Sequence, residues 1–150
     1  MKSLFKVAAA AVLLTVAAAP ALAADAKPHR VAIQVDQNDP AVMNLALNNA
    51  ANIIDYYKAK NEDVQVEVVT FGPGLHMLRA DSSPVKDRIK QISDAAFPSS
   101  IKFAACDNTK KGMEKHEGHA VSLIPQASEV PSGAVRLIEL QGDGWAYLRP

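Results

Sequence analysis

Along this chain the spacing of apolar residues switches repeatedly between two periods, and each switch marks a boundary between elements. Residues 30–35 (RVAIQV) are rich in β-branched side chains and read as a strand. Met43, Ala46, Leu47, Ala50, Ile53, Ile54 and Tyr57 then recur three and four residues apart. That is the period of an amphipathic helix, which Asp39 caps, Pro40 opens and the polar stretch 61–63 (NED) closes after about Lys60. Asn44, Asn48 and Asn52 form a second stripe on this helix, facing either solvent or a subunit interface. Residues 64–71 (VQVEVVTF) are the clearest strand, and Gly72-Pro73-Gly74 stops it with glycines that allow close backbone approach.

A short helical turn follows over 75–78, and Ser83-Pro84 predicts the start of a helix with Val85, Ile89, Ile92 and Ala96 turned inward. Phe97-Pro98 breaks it, and 101–105 (IKFAA) read as the third strand. A polar helix is expected over about 108–117, a short fourth strand over 127–130, a helix capped at Ser132-Gly133 and stopped at Gly142, and a fifth strand over 145–149 (WAYLR). Strands alternating with helices, several of them almost continuously apolar, predict an α/β fold with a mostly parallel five-stranded sheet covered on both faces.

The first residues do not belong to that pattern. Lys2 and Lys6, the apolar run 7–18 broken only by Thr15, and Ala21-Leu22-Ala23 predict a secretory signal over 1–23 that is cleaved before Ala24. The run is too short for a comfortable membrane span. The mature chain is then 24–150, one domain, and its 14 Lys and Arg against 16 Asp and Glu make it slightly acidic. With no basic tract and no aromatics among its charges, nucleic acid is not an expected partner; after signal cleavage neither is a membrane.

Export to an oxidising compartment, expected to be the periplasm, gives the cysteine count its meaning. Cys106 is the single cysteine, so it forms no disulfide within the chain. It follows the third strand in FAACDNTKK (103–111), in a loop over 106–108 at the junction with the next helix, and function collects in parallel sheets at such strand ends, here alongside the loops 36–39 and 72–74. A helix N-terminus after Cys106 presents free N–H groups that favour a thiolate. Lys110 and Lys111 add positive charge there, and Asp107 opposes it. Free cysteine is also among the most buried residue types, and Phe103-Ala104-Ala105 is core-like, so these residues leave both an inert and a reactive Cys106 open.

Other chemistry is thinner. His116 and His119, three apart, stand with Met113 and Glu117 near a helix end, with Cys106 and His76 as further ligand types. This is no recognised zinc spacing, and a polar helix end carrying His and Glu is usually just solvated, so no metal and no other cofactor is expected. His76 after the glycine loop reads either as a surface histidine or as part of a site on the Cys106 side of the sheet. Sequences of the GxSxG, P-loop and GxGxxG kinds are missing from the chain.

Four blocks in order, LALNNAANI (45–53) after Asp39-Pro40, VEVVTFGPGLHML (66–78), IKFAACDNT (101–109) and VPSGAVRLIELQGDGWAYLRP (130–150), together resemble the DsrE/DsrF-like sulfur-relay family, in particular its exported branch. The resemblance implies a flavodoxin-like three-layer sandwich that assembles into trimers or hexamers. It also implies a cysteine after the third strand that accepts sulfane sulfur as a persulfide and hands it to the next carrier. Cys106 stands at that position, with Gly72, Gly74, His76, Asp107, Asn108, Thr109 and Lys110 as its expected pocket neighbours. The expected function is periplasmic sulfur trafficking, at most sulfurtransferase-like, with a donor or acceptor protein as a further partner. The alternative is a non-enzymatic oligomeric module that binds a small ligand or metal and keeps Cys106 for structure.

Overall fold

In a computed structural model of the chain, residues 28–150 are described; the expected signal and its cleavage point lie outside them. Strand β1 (His29–Val35) leads to helix α1 (Pro40–Lys58), whose N-terminus is closed by Asp39 Oδ1 accepting from the Ala41 N–H at 2.7 Å. Pro40 occupies the first helical position, where its missing N–H costs nothing. Met43, Ala46, Leu47, Ala50 and Ile54 are the face that α1 buries. Strand β2 (Val64–Thr70) then runs into a 3-10 segment (Gly72–Leu78) that opens at Gly72 with φ +52°. Helix α2 (Lys86–Ala95), strand β3 (Ser100–Cys106), helix α3 (Asp107–Glu117), strand β4 (Ala127–Val130), helix α4 (Gly133–Gly142) and strand β5 (Ala146–Leu148) complete the order.

Two expected boundaries move. Helix α2 begins at Lys86 and not at Ser83-Pro84, because the Ser83 hydroxyl turns inward to donate to the Met77 carbonyl at 2.6 Å and accepts from the Val85 N–H at 3.3 Å. Strand β5 is shorter than 145–149, pairing only Ala146, Tyr147 and Leu148 with Val31, Ala32 and Ile33.

The sheet is parallel throughout, in the order β4-β3-β2-β1-β5. Flanking helices make it the three-layer α/β arrangement of flavodoxin-like proteins, here with the first four strands stepping in one direction where flavodoxin itself uses the order 2-1-3-4-5. Right-handed crossovers stepping one way place their helices on one face, and the return from β4 to β5 carries α4 across the other. The two cores follow from this. On one face Ile33, Val35, Val66, Val68, Phe103 and Ala105 pack with Met43, Leu47, Leu75 and Ile89. On the other, Ala32, Val69 and Ala104 receive Leu137 and Leu140 of α4, with Phe71, Val130 and Trp145 around them.

This second cluster is small, so α4 has little apolar area holding it. Burial of two leucines contributes roughly 1.5–3 kcal/mol each. A buried ion pair adds to it: Glu67, in the middle of β2, accepts from Arg136 Nε at 2.6 Å and Nη2 at 2.7 Å. Among the described residues no helix is long and apolar enough to cross a membrane.

Candidate functional site

Alternation along β3 decides which face each side chain meets. Phe103 and Ala105 enter the larger core and Ala104 the smaller one, so Cys106 ends the strand on the α4 side. Its backbone is extended (φ −69°, ψ 113°) and the next residue is already helical, which makes Cys106 the N-cap of α3. In register it stands beside Val130, the last residue of β4, and α4 starts three residues later. Two helix N-termini therefore converge on one sulfur. The link Val130-Pro131-Ser132 between them is fixed by the Asn108 N–H donating to the Pro131 carbonyl at 3.4 Å.

Gly133 is what lets α4 come so close. A Cβ at this position would lie 2.9 Å from both Cβ and Cδ1 of Phe71, nearer than packed carbons approach. Cys106 is 4% exposed, and burial pushes its thiol up. Hydrogen bonding, first from the Thr109 hydroxyl and then from the backbone N–H groups of Gly133, Thr109 and Asn108, the last shared with the Pro131 carbonyl, offsets that penalty and leaves the thiol below its ordinary value. A neutral thiol is a weak acceptor, and no capping hydrogen bond closes on it. A thiolate in the same place is the anionic acceptor that these four donors suit.

The loop after β2 forms the next wall. The Gly72 N–H donates to Thr109 Oγ1 at 2.9 Å, tying loop to helix. Gly74 is seated against β1: a Cβ there would stand 2.2 Å from the Val35 carbonyl oxygen. Gly72, Asn108 and Thr109 are thus gathered around the Cys106 strand end, whereas Gly74 sits at the end of β1, two strands away. On the other side, beside Val130, a cleft of about 270 Å³ is lined by Val130, Pro131, Val135, Arg136 and Glu139.

Other expected neighbours are engaged elsewhere. His76 Nδ1 lies 3.2 Å from Ser82 Oγ, so serine and not cysteine is its partner. Lys110 is drawn to Glu129 at 2.9 Å and Glu114 at 3.7 Å, and Lys111 to Asp107 at 2.6 Å. The expectation that these lysines favour the thiolate is therefore corrected: carboxylates hold their charge, and peptide groups with one hydroxyl act on the sulfur.

The histidines near the end of α3 do not share a helical face. Gly118 takes φ +74° and ends the helix, so His119 lies beyond it. Glu117 is bidentate on Arg79, at 2.5 and 2.8 Å, and Asp81 accepts from the same guanidinium at 2.9 and 2.7 Å. Among the described residues, no group of three or more His, Cys, Asp or Glu is placed to hold a metal. Of the Asn stripe, Asn44 and Asn48 accept from Arg88 of α2, Asn44 Oδ1 at 2.8 Å, while Asn48 and Asn52 lie exposed on the helix surface.

Sequence reasoning missed Gly133, Phe71 and Arg136. The first two act only because α4 begins beside β3, which depends on strand order. Arg136 had a visible cue, since Glu67 is a charge in the centre of an otherwise apolar strand and needs a partner.

Fold and site together define a class: a three-layer α/β domain whose all-parallel sheet presents one buried cysteine between two helix N-termini. No family model matches the chain, and no curated protein matches it. Among solved structures it is similar to a protein of unknown function from Methanobacterium thermoautotrophicum, at 28% identity and a TM-score of 0.67, over 81% of this chain and 99% of that one. The likeness extends over nearly all of that protein and brings no task with it.

Proposed function

We propose that this protein is an exported sulfur carrier, working in the periplasm after loss of residues 1–23, in which Cys106 holds sulfane sulfur as a persulfide. The observation that carries this reading is the place of Cys106, buried at the end of β3 where the N-termini of α3 and α4 meet. Resemblance of four sequence blocks to the DsrE/DsrF-like family supports it and supplies the expected trimer or hexamer.

The chemistry is thiol exchange. The Cys106 thiolate attacks a sulfur of a polysulfide, a new S–S bond forms as the donor's S–S bond breaks, and the electron pair leaves with the shortened polysulfide. An acceptor thiolate then attacks the outer sulfur of the persulfide, and Cys106 departs as the thiolate with which it began. No external oxidant or reductant is consumed. Donors aimed at the sulfur help in both directions, because they stabilise the attacking anion and improve the leaving group.

The test is to incubate the purified mature protein with polysulfide and weigh it intact. A gain of sulfur in the wild type that is missing in Cys106→Ser supports the carrier. A folded wild type that never takes up sulfur sinks it, and favours the second reading, a binding module with a structural cysteine, for which the burial of Cys106 is the supporting observation.

A further inference from the structure

Resting on the carrier reading, we infer that Thr109 is the positioning residue of this site: it takes one hydrogen bond from the loop after β2 and turns its own hydrogen toward Cys106 Sγ. A hydroxyl has a single hydrogen and two lone pairs. The Gly72 N–H occupies one lone pair at 2.9 Å. Among the described residues no carbonyl or carboxylate takes the hydrogen in return, and Cys106, three residues earlier on the same face of α3, offers its sulfur as the acceptor.

Helix geometry explains why this position serves. Thr109 is three residues after the N-cap, so its side chain shares a face with that of Cys106. A threonine in a helix commonly donates back to the carbonyl four residues earlier, which here belongs to Ala105. Gly72 holds the hydroxyl away from that alternative. The anchor is stiff in turn: the Phe71 N–H donates to the Val35 carbonyl at 3.3 Å, the Gly74 N–H to Phe71 at 3.1 Å, and Gly74 has no space to move toward β1. Order at the ends of β1 and β2 thus reaches the sulfur through one side chain. The other three donors are backbone groups that no substitution of their side chains removes.

Thr109→Val keeps the shape and removes the hydroxyl; Thr109→Ser keeps the hydroxyl. The rate of alkylation by iodoacetamide is followed from pH 5 to pH 10 on the purified mature protein, with folding checked by circular dichroism. Thr109→Val reacts roughly tenfold more slowly than wild type at neutral pH, the effect of losing one charge-assisted hydrogen bond to the thiolate. It catches up at high pH, where both thiols are ionised, and Thr109→Ser restores the wild-type profile. Should Thr109→Val fail to fold, Thr109→Ala shows the same displacement of the profile. A valine or alanine profile superimposed on the wild type overturns the inference, as does a deficit that persists at pH 10 or a serine variant as slow as valine. Alkylation requires no sulfur donor, so a wild type that refuses polysulfide defeats the carrier and leaves this result standing.

Discussion

Arg136→Met removes the partner of a carboxylate that the sheet buries. The Glu67 side chain is 4% exposed in the centre of β2 and receives two hydrogen bonds from Arg136, at 2.6 and 2.7 Å. Stripping one member from a fully buried pair costs about 3–5 kcal/mol, chiefly through the charge left behind. Arg136 itself is 32% exposed, so water reaches its side of the pair, and methionine preserves most of the aliphatic stem. The expected loss is accordingly about 2–3 kcal/mol. For a domain of this size that lowers Tm by about 10 °C.

Urea and thermal unfolding of Arg136→Met, Glu67→Gln and the double variant read the effect. Glutamine removes the buried charge, so the double variant is less destabilised than the two singles summed, with a coupling of at least about 1 kcal/mol. An Arg136→Met variant within about 0.5 kcal/mol of wild type, or strict additivity, would refute the reasoning. In that event Glu67 keeps enough solvent of its own, and α4 is held by Leu137 and Leu140 alone.

Two further outcomes follow from other contacts. Gly74→Ala drives a methyl group into the backbone of Val35 and Asp36, where no side chain can give way, and costs about 3 kcal/mol or more in chemical denaturation. The same substitution at Gly112, which has open space inside α3, stabilises by about 0.5–1 kcal/mol; equal effects at the two sites would contradict the packing. Acid acts through Arg79, whose hydrogen bonds hold the Asp81 and Glu117 carboxyls below the usual carboxylate range. Folded values below the unfolded ones mean that this stabilisation is present above about pH 4 and is lost as pH falls through the folded values. Melting temperature therefore drops through that acid range in wild type and drops less steeply in Asp81→Asn; parallel slopes would exclude the Arg79 contact as the cause.

Most of the strand and helix pattern was legible because its causes are local. Asp39-Pro40 opens α1, Ser132 caps α4, and the period of three and four over Met43 to Ile54 is the buried face observed. What escaped depends on contacts distant along the chain. Ser83-Pro84 looked like the start of a helix, but the Ser83 hydroxyl goes to the Met77 carbonyl and α2 begins at Lys86. Lys110 looked free for the thiolate until β4 brought Glu129 beside it. Cys106 itself was legible at the strand end from the switch between an apolar and a polar run, yet one of its four donors comes from elsewhere: Asn108 and Thr109 are its sequence neighbours, whereas Gly133 arrives from α4 and Gly72 only orients Thr109.

That division bears on how a buried cysteine can differ from a small hydrophobe. Burial alone argues for inertness, since an apolar surrounding raises a thiol. The opposing effect exists because of parity along β3. One residue earlier the side chain is Ala105, which points into the larger core among Ile33, Val68 and Phe103, where a sulfur would meet only carbon. A shift of one residue in a strand exchanges its faces. At 106 the side chain meets the smaller face, in line with the start of α4 and at the start of α3, and burial there removes water without removing donors. Shielding and activation come from the same two helix ends, so Cys106 is both buried and acidic, and moving α4 away, as Gly133→Ala would against Phe71, weakens the two properties together.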